Sequence, residues 1–121
     1  MQAFLKNYRQ SPRKVRLVAD LIRRKDIKTA RFLLTTIPKR AAFPVKQLLD
    51  SAVANAAQKN NLEENLFVKE IRVDEGRTLK RTMPRARGSA YAIRKRTSRI
   101  SIVLGEQLKN KKLKIKTQNK K

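Results

Sequence analysis

Apolar positions recur with a helical period in the first half of the chain and with a period of two in parts of the second. Val15, Val18, Ala19 and Ile22 recur at helical spacing, Leu17 and Leu21 widen that stripe, and Arg13, Arg16, Asp20 and Arg24 fall on the other side. Ser11-Pro12 supplies the start: a serine can cap a free backbone N–H, and a proline at the first helical position loses nothing by lacking a donor. Asp26 predicts a second N-cap ahead of Ile27, Ala30, Leu33, Leu34 and Ile37, with Pro38 as the stop. A third helix is expected over residues 39–59, with Pro44 in or near its first turn and Val45, Leu48, Leu49, Ala52, Val53 and Ala56 turned inward. Its run of small residues, 51–57, admits a closely approaching element or reflects helix propensity alone.

Residues 1–9 alternate weakly, with Phe4, Lys6 and Tyr8 on one face and Ala3 and Leu5 on the other, which predicts a strand. After Asn61 a second strand shows Phe67, Lys69, Ile71 and Val73 on one face and Glu70, Arg72 and Asp74 on the other. Ile100, Ile102 and Leu104 repeat the pattern with Ser101 opposite, and these two strands are expected to pair. The stretch between them lacks a continuous apolar face, so it is expected to project. Folded back near Gly88, each arm would have about 11 residues and reach on the order of 35 Å. The fold class that follows is α+β: three helices packed on a small antiparallel sheet, with a long protruding basic β-hairpin. Residues 1–76 and 97–105 are expected to form a globular domain, residues 77–96 the extended hairpin, and residues 106–121 a Lys-rich flexible tail.

Composition narrows the chemistry. The 121 residues contain no Cys and no His. That excludes disulfides, thiolate zinc clusters, thiol nucleophiles and imidazole-activated nucleophiles, and no metal or cofactor is expected. The carboxylate pairs Glu63-Glu64 and Asp74-Glu75 occupy adjacent positions, which point apart on a helix or strand. Gly76, Gly88 and Gly105 are too scattered for a phosphate-cradling loop. An enzyme is therefore not expected. Residues 1–9 lack the greasy segment of a signal peptide and no run approaches roughly 18 apolar residues, so a cytoplasmic protein without membrane contact is expected.

The formal net charge of +23 is unevenly spread. Residues 41–76 hold more acids than bases, whereas residues 77–105 hold nine basic side chains and no carboxylate. A solvated face normally mixes signs, and a single-sign segment repels itself unless a polyanion neutralises it. The arginines of Arg85-Ala86-Arg87-Gly88 can donate paired hydrogen bonds to phosphate oxygens and stack on exposed bases. Nucleic acid is the favoured partner over a merely solvated ribbon.

At this point the residues identify a family. Ser11-Pro12-Arg13-Lys14-Val15-Arg16-Leu17-Val18-Ala19, Ser51-Ala52-Val53-Ala54-Asn55-Ala56, Val73-Asp74-Glu75-Gly76 and Lys80-Arg81-Thr82-Met83-Pro84-Arg85-Ala86-Arg87-Gly88, continuing through Lys95-Arg96-Thr97-Ser98 to Ile100, occur in the family's order over about residues 3–104. The chain resembles the universal large-subunit ribosomal protein twenty-two family, bacterial type. The resemblance implies a structural constituent of the large ribosomal subunit that binds its RNA, aids assembly and lines part of the nascent-peptide exit tunnel with its hairpin. It implies ribosomal RNA contact by Arg13, Lys14, Arg16, Lys80, Arg81, Arg85, Arg87, Arg94, Lys95, Arg96 and Arg99. The tunnel-wall tip would be Met83, Pro84, Arg85, Ala86, Arg87, Gly88, Ser89, Ala90 and Tyr91, in a region where family members influence macrolide sensitivity. Expected partners are large-subunit ribosomal RNA, neighbouring ribosomal proteins and the nascent peptide, without self-association.

The chain departs from the family pattern at Arg77, where proline is frequent, at Ser89 and Ala92, where basic residues are common, and at Arg99, where histidine is common. Less positive charge at Ser89 and Ala92 implies weaker or rearranged RNA contact on one side of the tip. On charge and shape alone, an architectural DNA-binding protein that wedges Pro84 into a base step is a second reading. A membrane-disrupting cationic peptide is a distant third, because the basic stretch has no amphipathic helical period.

Overall fold

Inward side chains from three helices and three strands share one hydrophobic core in the computed structural model, which describes residues 1–59 and 63–106. The helices are α1, Pro12–Ile22, α2, Ile27–Thr36, and α3, Ala42–Ala57; the strands are β1, Gln2–Tyr8, β2, Leu66–Glu75, β3, Leu79–Pro84, β4, Ala90–Lys95, and β5, Ser98–Glu106. The antiparallel order β1-β5-β2 makes the core sheet, and β3 and β4 form a separate two-stranded ribbon. This is the expected α+β class. Glu106 closes β5 opposite Leu66 rather than opening the tail, and the rest of the expected tail lies outside the described residues.

The core stripe of α1 is narrower than its sequence suggests. Val15, Val18, Ala19 and Ile22 are buried, but Leu17 and Leu21 remain 62% and 46% exposed, because the sheet and the other helices meet α1 only along that single row. In α2, Ile27, Ala30 and Leu34 are buried while Leu33 and Ile37 are half-buried. α3 begins at Ala42, later than expected, after the turn in which Ala42 N–H donates to the Lys39 carbonyl. Ser11 and Asp26 occupy the expected N-cap positions with extended backbones, yet neither side chain makes the expected capping bond. At α1 the Ser11 carbonyl instead accepts from the N–H groups of Lys14 and Val15.

Two irregularities re-aim strand faces. Asn7 adopts φ 57°, and the β1–β5 register shifts between Leu5 and Tyr8. Tyr8 therefore leaves the Phe4 face and packs against the core with Leu5, contrary to the simple alternation. A second shift lies between Val68 and Glu70. It places Leu66, Val68, Ile71 and Val73 in the core and leaves Phe67 half-buried on the opposite face, across from Gly105. The central strand is regular: Ile100, Ile102 and Leu104 are buried, with Ile100 across from Val73 and Ile102 across from Ile71, so the expected pairing holds.

β2 is an edge strand, and unpaired edges invite other strands. Here the link between α1 and α2 covers it. Arg24 N–H donates to the Val68 carbonyl at 3.0 Å and Val68 N–H donates to the Lys25 carbonyl at 2.9 Å. Further along, Arg23 donates to the Ile71 carbonyl at 3.3 Å, and Arg16 donates from Nε and Nη2 to the Val73 carbonyl at 3.2 and 3.1 Å. On the far side of the core Arg31 ties α2 to α3 through Asp50 at 2.7 Å and to the chain before β2 through Glu63. Burial works against the Arg31 charge, but the hydrogen bond to Asp50 and the charges of Glu63 and Asp50 outweigh it and hold the pKa above its ordinary value. A raised pKa on a cation stabilises the fold at every pH below the ordinary value and loses that effect only in strong alkali, so this network adds no pH dependence near neutrality through Arg31.

Because Arg16 fastens α1 to the sheet edge, Arg16→Ala is expected to lower the unfolding free energy of the free protein by about 1–2 kcal/mol. Lys14→Ala, at an exposed position of the same helix, should change it by less than about 0.5 kcal/mol. Urea titrations of both variants separate a structural Arg16 from one that serves a ligand alone.

Candidate nucleic-acid interface

The ribbon grows directly out of the core sheet. The β2–β5 ladder runs to Glu75 opposite Ser98, and Gly76 N–H then donates to the Thr97 carbonyl at 2.9 Å. The β3–β4 ladder begins at Leu79 opposite Lys95, so Arg77 and Thr78 face the single residue Arg96 and the register shifts by one. The joint is held by polar side chains that are themselves buried. Thr97 Oγ1 donates to the Arg77 carbonyl at 2.8 Å, and Ser98 Oγ donates to the Gln10 carbonyl at 2.6 Å. A side chain on residue 76 would place its Cβ 2.3 Å from Thr97 Oγ1, which is why the joint takes glycine.

Beyond the joint the two strands pair over six residues each, roughly 20 Å, shorter than the expected arms because the turn occupies residues 85–89. Every residue from 80 to 92 is exposed. Cross-strand register sorts the side chains onto two faces. Lys80, Thr82, Pro84, Ala90, Ala92 and Arg94 share one, and Lys80 stands directly across from Arg94. The other collects Leu79, Met83, Tyr91 and Ile93, apolar groups scattered in the linear sequence, and interleaves them with Arg81 and Lys95. Cations between aromatic and aliphatic groups suit a ligand that is both anionic and flat-faced.

The turn is closed by Arg85 N–H to the Ser89 carbonyl at 2.9 Å and by Ser89 Oγ to the Ala86 carbonyl at 2.9 Å. Ser89, one of the departures from the family pattern, therefore commits its hydroxyl to the turn. Arg87 and Gly88 both have positive φ, 60° and 68°. This pair of left-handed residues reverses the chain and leaves the Arg87 side chain exposed.

At the base of the ribbon Arg94, Lys95 and Arg96 converge with Lys14 of α1 on an open cleft of about 500 Å³. Arg9 and Arg40 join them, and no carboxylate lines the cleft. Six cations from β1's exit, α1, the α2–α3 turn, β4 and the residue that follows it thus line one space. The remaining expected contacts are distributed elsewhere. Arg13 is exposed on α1, Arg16 is bonded to the sheet edge, and Arg99 lies on the open sheet face with Phe4, Lys6 and Arg72, across from Asp74. Lys80 and Arg81 project from opposite faces of the ribbon. Sequence reading missed Arg9 and Arg40, since only the tertiary fold brings them together; Arg9 does carry the weak signal of lying beside Ser11-Pro12.

The sequence profile of the family described as ribosomal protein L22p/L17e matches residues 3–105. The chain is 55% identical over 106 residues to large ribosomal subunit protein uL22 of Deinococcus radiodurans, covering 87% of this chain and 79% of that protein. It is 50% identical over 107 residues to uL22 of Acholeplasma laidlawii, covering 88% and 96% of the two chains. With uL22 of Thermus thermophilus the identity is 51% over 107 residues, covering 88% and 95%.

If the cleft holds phosphate, removing two of its cations changes the ionic part of binding alone. Arg94→Ala with Arg96→Ala should reduce the slope of log K against log salt for RNA binding by roughly 1.4–1.8. The urea midpoint of the free protein should stay where it was, and filter binding over a salt series checks the slope.

Proposed function

Because the chain belongs to the ribosomal protein L22p/L17e family, as a large-subunit ribosomal protein and not an enzyme, we propose that it binds large-subunit ribosomal RNA and aids folding of that RNA during assembly. The observation that carries this reading is the acid-free ribbon, wholly exposed from residue 80 to 92 and continuous at its base with a six-cation cleft. Phosphates gathered in the cleft would fix the position of the core on the RNA, and the cations of the ribbon would neutralise RNA segments that converge along it. The single chain supplies both surfaces, so no second copy is needed. In this reading residues 1–76 and 97–105 act as the docked body, and residues 77–96 as an arm that penetrates the particle.

The ribbon's far end supports a place in the wall of the nascent-peptide exit tunnel. Its apex is built from Ala86, Gly88, Ser89 and Ala90, which are small and uncharged, while the cations Arg85 and Arg87 stand beside them. Such an apex can face a passing peptide while the arginines hold RNA. Ribosomal proteins and RNA adjoining the tunnel complete the surroundings. The family description favours an RNA-rich particle over duplex DNA as the partner.

Large subunits purified from cells carrying Arg85→Ala with Arg87→Ala test this reading. The expected result is reduced incorporation of the protein, or loss of RNA protection confined to nucleotides near the tunnel. Normal incorporation with unchanged RNA protection contradicts the proposed contacts, and wild-type protein that bends duplex DNA and stays off ribosomes contradicts the reading as a whole.

A further inference from the structure

The tip carries an aromatic group that the ribbon's own packing does not use. Tyr91 leaves β4 with 61% of its surface exposed, next to Met83 in the cross-strand register, and Met83 is itself 42% exposed. Neither residue belongs to the hydrophobic core, and β3 and β4 pair only with each other. The Arg85 guanidinium carbon lies 6.0 Å from the centroid of the Tyr91 ring, at the outer range of a cation–π contact. Arg85, Ala86, Ser89 and Tyr91 line an open recess of about 450 Å³.

The recess is formed by the turn itself. Ser89 Oγ and the Arg85 N–H are both committed to backbone carbonyls within the turn, which fixes the recess wall before any ligand arrives. The surfaces left for a ligand are therefore an aromatic face, a small apolar floor at Ala86 and a cation that stands beside the ring. A flat, electron-rich group attached to a phosphate matches all three, and a hydrated sugar or a bare phosphate matches only the last.

We infer that Tyr91 and Arg85 together form a stacking site for one unpaired nucleobase of the large-subunit RNA. The base lies against the Tyr91 ring, with its phosphate drawn to Arg85. This rests on the proposed RNA-binding reading and adds to it a specific residue, since Tyr91 carries no charge and contributes nothing to a purely electrostatic account. It gives the tip a contact that salt does not screen, at the end of an arm whose other contacts are screened.

The experiment uses the full-length protein and deproteinised large-subunit RNA, with filter binding over a salt series for wild type, Tyr91→Phe, Tyr91→Ala and Arg85→Ala. Tyr91→Ala should weaken binding about fivefold or more at every salt concentration, with the slope of log K against log salt unchanged. Tyr91→Phe should bind like wild type, and Arg85→Ala should weaken binding with a shallower slope. Tyr91 is exposed, so its variants should keep the wild-type circular dichroism spectrum. Wild-type affinity in Tyr91→Ala overturns the stacking site, and is the result expected if Tyr91 meets the nascent peptide instead. Equal loss in Tyr91→Phe and Tyr91→Ala also overturns it, because the hydroxyl would then be the contact. Failure of the wild type to bind the RNA is a different outcome, which defeats the RNA-binding reading itself.

Discussion

Seven cations lie between residues 79 and 96 without one carboxylate, and cross-strand pairing sets Lys80 directly opposite Arg94. Like charges opposed across two strands destabilise the pair by a few tenths to about 1 kcal/mol. A lone two-stranded ribbon is marginal in water even without that repulsion. The interaction on which the ribbon depends is therefore one the protein cannot make with itself: neutralisation by a polyanion. The same deficit explains the division between the two parts of the molecule. Acidic side chains are spent on the core, where Asp50 and Glu63 hold Arg31 and Glu70 pairs with Arg72, and none is left in the arm.

The core contributes direction. β5 is the central strand, buried through Ile100, Ile102 and Leu104, and its partner β2 is fixed at its outer edge by Arg16, Arg23 and the α1–α2 link. Both strands run without a break in the chain into the arm, through a joint whose polar atoms are satisfied and whose close approach requires Gly76. The arm thus leaves the core in a set orientation even though its own pairing is weak. The base of the arm also closes the cationic cleft, because Arg94, Lys95 and Arg96 leave β4 beside Lys14 and Arg40. A ligand phosphate in the cleft would couple the body to the arm.

Helix positions, the central strand and the existence of the ribbon were legible in the sequence because each rests on local periodicity or its absence. The irregularities were not. The reversal at Asn7 depends on a positive φ that an asparagine tolerates but does not announce, and the bulge after Val68 changes the facing of Phe67 while the residue types still alternate plausibly. Leu17 and Leu21 satisfy a helical period, but the width of a buried stripe is set by what packs against it. The candidate interface was legible as a charge segment and illegible as a place. Arg9 and Arg40 enter the cleft from different loops, while Arg16, placed among the RNA contacts by its motif, is drawn inward to the Val73 carbonyl. The mixed face of Leu79, Arg81, Met83, Tyr91, Ile93 and Lys95 follows from strand register, which linear reading leaves open.

Amide hydrogen exchange on the full-length protein, alone and bound to large-subunit RNA, tests the dependence of the arm on a polyanion most directly. The account predicts that amides of β3 and β4 exchange within seconds to minutes in the free protein and become strongly protected on the RNA, while those of β5 and α3 are protected in both states. Protection of β3 and β4 in the free protein equal to that of β5 would contradict it, since the arm would then hold itself together without any external charge.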